Sequence, residues 1–271
     1  MIRAILFGHG RMGRLVGVHA AEHGVEVVGV LTSASAAETW EAAAQARADV
    51  IIDFATGEAL QASLDRLCGL APTLVIGSTG WSAFEQQARQ TIARHGAGAV
   101  VASNFSVGAY LLEAAARVVS ASVEHLDDYE AFLHEAHHSR KRDAPSGTAL
   151  QLLEAMRQAG LTRHVDVSST RAGHFPGTHM AGFDGPAETI TLTHTVRDRA
   201  TFAHGALRAA RWVQGRQGWY SMRDVLGMAD RASRIADRDQ KRAPGNVNRA
   251  LDTGFRYSRT REHLLPSIFG L

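Results

Sequence analysis

Along the first hundred positions, apolar residues recur in short blocks separated by longer amphipathic stretches. Ala4-Ile5-Leu6-Phe7 is a compact apolar run stopped by glycine, after which Met12, Leu15, Val16 and His19 follow at helical spacing until Gly24 closes the turn. Val25 to Leu31 is a second β-branched run. Val50-Ile51-Ile52-Asp53-Phe54, Leu74-Val75-Ile76-Gly77 and Val100-Val101-Ala102 continue the series, separated by Ala- and Gln-rich segments long enough for helices. Strand and helix in strict turn predict an α/β fold: a Rossmann-type, doubly wound parallel sheet covered on both faces.

The pattern then changes character. Val107 to Val123 reads as a helix, Tyr129 to Leu133 has the content of a strand, and Ser146 to Gly160 reads as a helix capped by Ser146. Val165 to Thr170, His179 to Phe183 and Ile190 to His194 are strand-like pieces arriving in a block, which predicts a second α+β domain built on its own mixed sheet. Phe202 to Val213 is helical and apolar on one face, and predicts a return to the first domain. The expected division is a first domain (1–104 with 206–228), a second domain (105–205), and a tail (229–271).

Composition narrows the setting. The 271 residues are 45% hydrophobic and 21% charged, ordinary for a globular chain, and one cysteine, Cys68, cannot form a disulfide within it. The first residues carry too short an apolar run for a secretory leader, and no stretch approaches the roughly 18 to 20 apolar residues of a membrane span. A cytoplasmic protein is expected, with no membrane partner. The net charge of +2 conceals an asymmetry: nine basic and five acidic residues lie from Ala229 onward, leaving 20 against 22 in the rest. A body so balanced is not an obvious nucleic-acid binder. The tail contains Pro244-Gly245-Asn246 and little apolar periodicity before Leu264, Leu265, Ile268 and Phe269, so it is expected to be mobile, or else an arm docked on a neighbouring subunit.

Gly8-His9-Gly10-Arg11-Met12-Gly13 follows the first strand and opens the first helix. Glycines so spaced permit a tight turn, close approach of a pyrophosphate to the backbone, and packing of helix on strand, with helix N-terminal amides facing the phosphates. The expected ligand is NADH or NADPH. No acid ends the second strand, where Thr32 and Ser33 stand instead, so nothing there would repel the additional phosphate of NADPH. Gly77-Ser78-Thr79-Gly80 and Ala102-Ser103-Asn104-Phe105 follow the fourth and fifth strands, where ligands of open α/β sheets bind, and complete one rim.

His134-Glu135-Ala136-His137-His138 matches HExxH literally. On a helix, His134 and His138 would share a face and hold zinc beside Glu135, as in a metallopeptidase. The strand-like residues before it and Pro145 and Gly147 after it argue against that helix, so no metal is expected. A third possibility is a non-catalytic nucleotide-sensing module whose basic tail binds a polyanion.

The longer run Glu135-Ala136-His137-His138-Ser139-Arg140-Lys141-Arg142-Asp143-Ala144-Pro145-Ser146-Gly147-Thr148-Ala149 closely resembles the signature of the dihydrodipicolinate reductases, also called 4-hydroxy-tetrahydrodipicolinate reductases, of diaminopimelate and lysine biosynthesis. The likeness includes Gly10-Arg11-Met12-Gly13, Ile52-Asp53-Phe54, Gly77 to Gly80, Ser103 to Gly108, Arg171, Gly173, Pro176 to His179 and Glu188 to His194. It closes with Arg199, Phe202-Ala203, Gly205-Ala206 and Met222 to Leu226. Compared with many members the glycine loop is one residue shorter, the acid after the second strand is absent, and nothing beyond Met228 matches. The resemblance implies reduction of a cyclic imine dicarboxylate by nicotinamide hydride, with His137 the proton donor and Lys141 its cationic assistant. It also implies a substrate site of His138, Lys141, Gly147 and Thr148, and a homotetramer joined through the second sheets. Arg140 and Arg142 are expected in solvent. Asp143 could orient Lys141 or cap the following helix.

Overall fold

The computed structural model describes residues 1–228; the tail, with Leu264, Leu265, Ile268 and Phe269, lies outside the described residues. Strands β1 (Ile2–Phe7), β2 (Val25–Leu31), β3 (Val50–Asp53), β4 (Thr73–Ile76) and β5 (Gly98–Val101) alternate with helices α1 (Arg11–His19), α2 (Ala37–Gln45), α3 (Gly57–Leu70) and α4 (Glu85–Arg94). After α5 (Val107–Val123) come β6 (Glu130–His137), α6 (Gly147–Gln158), β7 (Val165–Arg171), β8 (Thr178–Asp184) and β9 (Thr189–Thr195). The chain then runs through α7 (Ala200–Trp212), β10 (Gly218–Tyr220) and the short α8 (Met222–Val225).

The first sheet has the order β10-β5-β4-β3-β1-β2 and is parallel throughout. Alternation along β1 distributes its side chains between two cores. Ile5 and Phe7 join Leu31, Ile51, Leu74 and Ile76 under Leu60, Leu64 and Leu67 of α3 and Ile92 of α4. Ala4 and Leu6 join Ile52, Val75 and Val100 under Val16 of α1 and Leu207 of α7. Each such fully buried side chain contributes roughly 1.5–3 kcal/mol, so period two buried on both faces strongly fixes the register. The face of α7 is built from Ala203, Gly205, Ala206, Ala209 and Ala210, all buried. A Cβ on Gly205 would run into the carbonyl of Phe105, so glycine sets how closely helix and loop approach. β10 is absent from the sequence-based expectation because three residues ending in Trp219 and Tyr220 are too short to carry a period.

The second sheet has the order β7-β6-β8-β9, with β6 parallel to β7 and antiparallel to β8, and β8 antiparallel to β9. One face packs on α5 and α6 through Leu112, Ala116, Leu152, Met156, Leu133 and Phe183. Along β6 the buried positions are Ala131, Leu133, Glu135 and His137. The face that begins as apolar core therefore ends as a buried acid and a buried imidazole, where chemistry can begin. No helix among the described residues is long and apolar enough to cross a membrane.

Candidate active site

The order of the first sheet reverses between β1 and β3, the switch point at which open α/β sheets bind ligands beyond their strand ends. The glycine loop occupies that point. Gly8 has φ +97, and its N–H donates to the Leu31 carbonyl at 2.8 Å; a Cβ there would lie 2.6 Å from the Ala55 nitrogen. At Gly13 a Cβ would run into the Gly8 carbonyl, whereas at Gly10, the residue before α1, it would meet nothing within 4 Å. Gly8 and Gly13 are thus required by the fold itself, and Gly10 leaves open space in front of the α1 amides. That cradle fits a dinucleotide pyrophosphate.

Arg11, Met12, Gly77, Ser78 and Thr79 line one cavity of about 360 Å³, which Phe54, Ala55 and Arg199 complete. Beneath it lies Asp53, fully buried at the end of β3, with Oδ1 accepting from the Ala55 N–H at 2.9 Å and Oδ2 unpartnered. Burial pushes its carboxyl up to about 6. His9 is exposed, and its carbonyl accepts from Arg14 Nε at 3.2 Å. Thr32 and Ser35 form a turn in which the Thr32 N–H donates to Ser35 Oγ at 2.8 Å, while Ser33 is exposed.

The loop after β5 turns toward the second sheet. Ala102 and Phe105 are buried, Phe105 packing edge-on against Phe54 with centroids 5.7 Å apart. Asn104 Nδ2 donates to Thr148 Oγ1 at 3.3 Å, its Oδ1 accepts from the Ser106 N–H at 2.8 Å, and Gln151 Nε2 donates to Ser103 Oγ at 3.3 Å. These bonds tie the rim of the first sheet to the start of α6.

The histidine segment is a strand, so HExxH does not form the peptidase helix. His134 and Glu135 leave opposite faces: His134 Nδ1 meets Ser168 Oγ at 3.0 Å, while Glu135 is buried. Glu135 receives the Arg171 guanidinium in a fork, Nη2 to Oε1 at 2.6 Å and Nη1 to Oε2 at 2.9 Å. Its Oε1 also accepts from the Ser146 N–H at 3.2 Å, and its Oε2 bonds His137 Nδ1. Burial would push this carboxyl up, but the Arg171 fork, Ser169 and His137 hold it down at about 2. His137 itself is lowered by burial, against the pull of Glu135. Its Nε2 faces Gly177, where a Cβ would stand 3.0 Å away.

His179 stands edge-on to His137, centroids 5.1 Å apart, and its Nε2 meets Ser146 Oγ at 3.0 Å. Burial and the neighbouring His137 lower it to about 4, so it is neutral at pH 7. Donor atoms of Glu135, His137 and His179 lie within 4.8 Å of one another. Both Glu135 oxygens are already engaged by Arg171, whose charge opposes a cation, so the trio fits an ionised acid–imidazole pair better than a metal. Nothing in the arrangement favours a peptidase.

Lys141 Nζ pairs with Asp143 Oδ1 at 2.9 Å, and Lys141 holds the Asp143 carboxyl below its ordinary value. Ser146, not Asp143, caps α6, its Oγ accepting from the Ala149 N–H at 3.2 Å. That leaves Gly147 exposed and Thr148 half-buried in the first turn. The His138 N–H donates to the Phe175 carbonyl at 2.9 Å, with its buried Nδ1 unpartnered. Arg140 and Arg142 are exposed, as expected.

Glu135, Arg171, His179, Ser146, Asp53 and Arg199 were not among the expected site residues. For Glu135 the signal was available, since period two places it on the face of His137. Arg171 and His179 arrive through strand register, pairing opposite His137 and Glu135 respectively, which one sequence does not disclose.

A parallel sheet with a glycine loop at its switch point, joined to a mixed sheet presenting a buried acid–histidine pair, defines an oxidoreductase of the NAD(P)-dependent class. Residues 2–105 match the dihydrodipicolinate reductase N-terminal family and residues 108–226 the dihydrodipicolinate reductase C-terminal family. The 4-hydroxy-tetrahydrodipicolinate reductase of Magnetococcus marinus is 38% identical, covering 79% of this chain and 84% of that protein. The reductase of the same name from Thiobacillus denitrificans is 38% identical, covering 81% and 96%. Among solved structures, dipicolinate-bound dihydrodipicolinate reductase from Paenisporosarcina sp. TG-14 shares the fold with a TM-score of 0.64 at 23% identity, covering 82% of this chain and 97% of that one. The chain belongs to the dihydrodipicolinate reductase family and is an NAD(P)H-dependent oxidoreductase.

Proposed function

We propose that this chain reduces 4-hydroxy-tetrahydrodipicolinate, by way of its dehydrated cyclic imine, to tetrahydrodipicolinate in the diaminopimelate route to lysine. The observation that carries the site assignment is the buried Glu135–His137 pair, braced by Arg171, with His137 Nε2 facing the space kept open at Gly177. When bound, the reduced dinucleotide supplies hydride. The chain's own residues manage the charge and the proton. Glu135 accepts from Nδ1 of His137, fixing the ring so that Nε2 presents the proton to the carbon or enamine on which negative charge develops. Lys141, aimed by Asp143, supplies a compact cation beside it, and the amides of Gly147 and Thr148 at the start of α6 receive a carboxylate, with His138 a further substrate contact.

For the cofactor, Gly8 to Gly13 hold the pyrophosphate, Thr32 and Ser33 accept either ribose, and Gly77, Ser78, Thr79 and Ala102 to Phe105 form the rim. In this reading 1–104 with 206–228 is the dinucleotide unit and 105–205 the substrate and assembly unit. β9 is exposed along most of its length, including Ile190 at 38%, which supports a homotetramer joined through the second sheets. The working compartment is the cytoplasm.

The test is oxidation of NADH and of NADPH by the purified chain with freshly generated substrate. His137→Gln should lower turnover by about 10²- to 10⁴-fold while dinucleotide binding, read by fluorescence titration, survives. Unchanged turnover at saturating substrate overturns the assignment. The two cofactors should bind within about tenfold, about 1.4 kcal/mol, and a hundredfold preference refutes dual use. Binding without turnover would instead favour a nucleotide sensor.

A further inference from the structure

A second cluster of imidazoles lies away from the candidate active site and takes no part in the reading above. α1 ends at His19, and the chain continues through a single tight turn, Ala21–His23, before Gly24 at φ +68 sends it into β2. The helical path persists through that turn, so His19, Glu22 and His23, at spacings of three and four, gather on one side. α7 brings His204 against them. His19 Nδ1 is 3.3 Å from Glu22 Oε1, the rings of His19 and His204 have centroids 4.5 Å apart, and His23 Nε2 meets His204 Nδ1 at 2.9 Å. One donor atom from each of His19, Glu22 and His204 lies within 4.8 Å of the other two.

We propose that His19, Glu22 and His204 bind one divalent transition-metal ion of the zinc, cobalt or nickel type, with His23 orienting His204. Two imidazoles and a carboxylate form a donor set that suits these ions and not magnesium or calcium, which take oxygen. In a tetrahedral site with bonds near 2.05 Å, donors stand about 3.4 Å apart, the spacing His19 and Glu22 already have. His204 Nδ1 is taken up by His23 Nε2 at 2.9 Å, which leaves Nε2 as the nitrogen free for an ion, the arrangement by which a second partner fixes the tautomer of a ligating histidine.

The electrostatics differ from those at Glu135. There both carboxylate oxygens are taken by a guanidinium; here Glu22, with 62% of its side chain exposed, pairs only with His19 among the described residues. A cavity of about 400 Å³, to which His23, His204, Thr201 and Arg208 contribute, opens beside His204. Such an ion would join α1 to α7, two helices on one face of the first sheet, at the end of α1 opposite the glycine loop. It acts as a staple outside the reaction.

The test uses the full chain, stripped with chelator and dialysed against Zn²⁺ or Co²⁺. Expected are one Zn²⁺ per chain, a tetrahedral Co²⁺ absorption band, no displacement by excess Mg²⁺, and a higher melting temperature with Zn²⁺ than without. His19→Ala, at the end of α1, and Glu22→Gln, in the exposed turn after it, should melt like the metal-free parent, weaken Zn²⁺ binding at least tenfold and lose the Co²⁺ band. His23→Ala should weaken binding about ten- to hundredfold. Turnover of His19→Ala should match the parent, separating this proposal from the assignment of His137. The proposal is overturned if Zn²⁺ does not bind at submillimolar concentration, or if the stoichiometry survives in the His19→Ala/Glu22→Gln double variant. Loss of Zn²⁺ on His137→Gln instead would overturn it too, by placing the ion at Glu135 and His179.

Discussion

Replacing Glu135 by glutamine removes one charge from the centre of the site with almost no change in shape. Glu135 is 1% exposed and carries the Arg171 fork, the Ser146 N–H and His137 Nδ1 on two oxygens. A glutamine keeps one acceptor and turns an NH₂ toward groups that are themselves donors. Breaking a buried ion pair from one side costs about 3–5 kcal/mol. The carboxyl offers a second route to that magnitude: its lowering from 4.5 to about 2 corresponds to about 3 kcal/mol at roughly 1.4 kcal/mol per pH unit. Because the folded value is depressed, this stability is fully present above pH 4.5 and is lost as pH falls toward 2. Urea unfolding at fixed protein concentration, at pH 7 and through the acid range, is the measurement. Glu135→Gln should be less stable by about 3 kcal/mol at pH 7, and the acid-induced loss between pH 4.5 and 2 should shrink by a similar amount. In turnover, the variant should also move the loss of rate with rising pH to lower pH, since His137 loses the charge that favours its protonated form. A variant with the parent's stability at pH 7 and the parent's acid profile would refute the pairing.

Three further outcomes follow from the same geometry. Gly10→Val should abolish dinucleotide binding while leaving the melting temperature nearly unchanged, because a Cβ there meets no protein atom within 4 Å, whereas Gly13→Val should destabilise the fold, because Gly8 lies in its path; calorimetry and fluorescence titration separate the two. Gly177→Ala, at φ +151 with its Cβ 3.0 Å from His137 Nε2, should lower kcat by more than tenfold with cofactor affinity intact, measured by steady-state rates and titration. Lys141→Ala should raise KM and lower kcat together, and Asp143→Asn should raise KM with a smaller loss in kcat, as expected if Asp143 aims the ammonium.

The parallel sheet was legible because each of its strands from β1 to β5 carries an apolar run of two to four residues between helix-length segments, and burial on both faces leaves little else for such runs to do. The second sheet was legible as a block of strands, but its order was not, since register between β6 and β7 depends on a crossover through α6. The candidate site divides the same way. His137 and Lys141 stand in one contiguous segment, so the sequence alone can propose them; Arg171 reaches Glu135 only because β7 runs parallel to β6 in one particular register. HExxH shows the opposite hazard, a motif defined by helical spacing whose residues the fold lays along a strand. The acceptor of Lys141 could not be chosen from sequence because Asp143 lies within reach of both the lysine and the start of α6, and Ser146 settles it by taking the cap.

The small-residue face of α7 has a consequence for how the protein is made. Ala203, Ala206, Leu207 and Ala210 cover Leu6, Ile52, Val75 and Val100, yet roughly a hundred residues of the second sheet and its helices are translated between β5 and α7. At about 5–20 residues per second, that face of the nascent sheet waits roughly 5–20 s for its cover. During that interval α1 alone protects part of it, and the remainder is a surface for chaperones to hold. The same reasoning bears on dissection of the chain: a fragment ending near residue 105 leaves the face bare, while one that joins residues 1–105 to residues 200–226 through a short linker restores both α7 and β10 to the sheet.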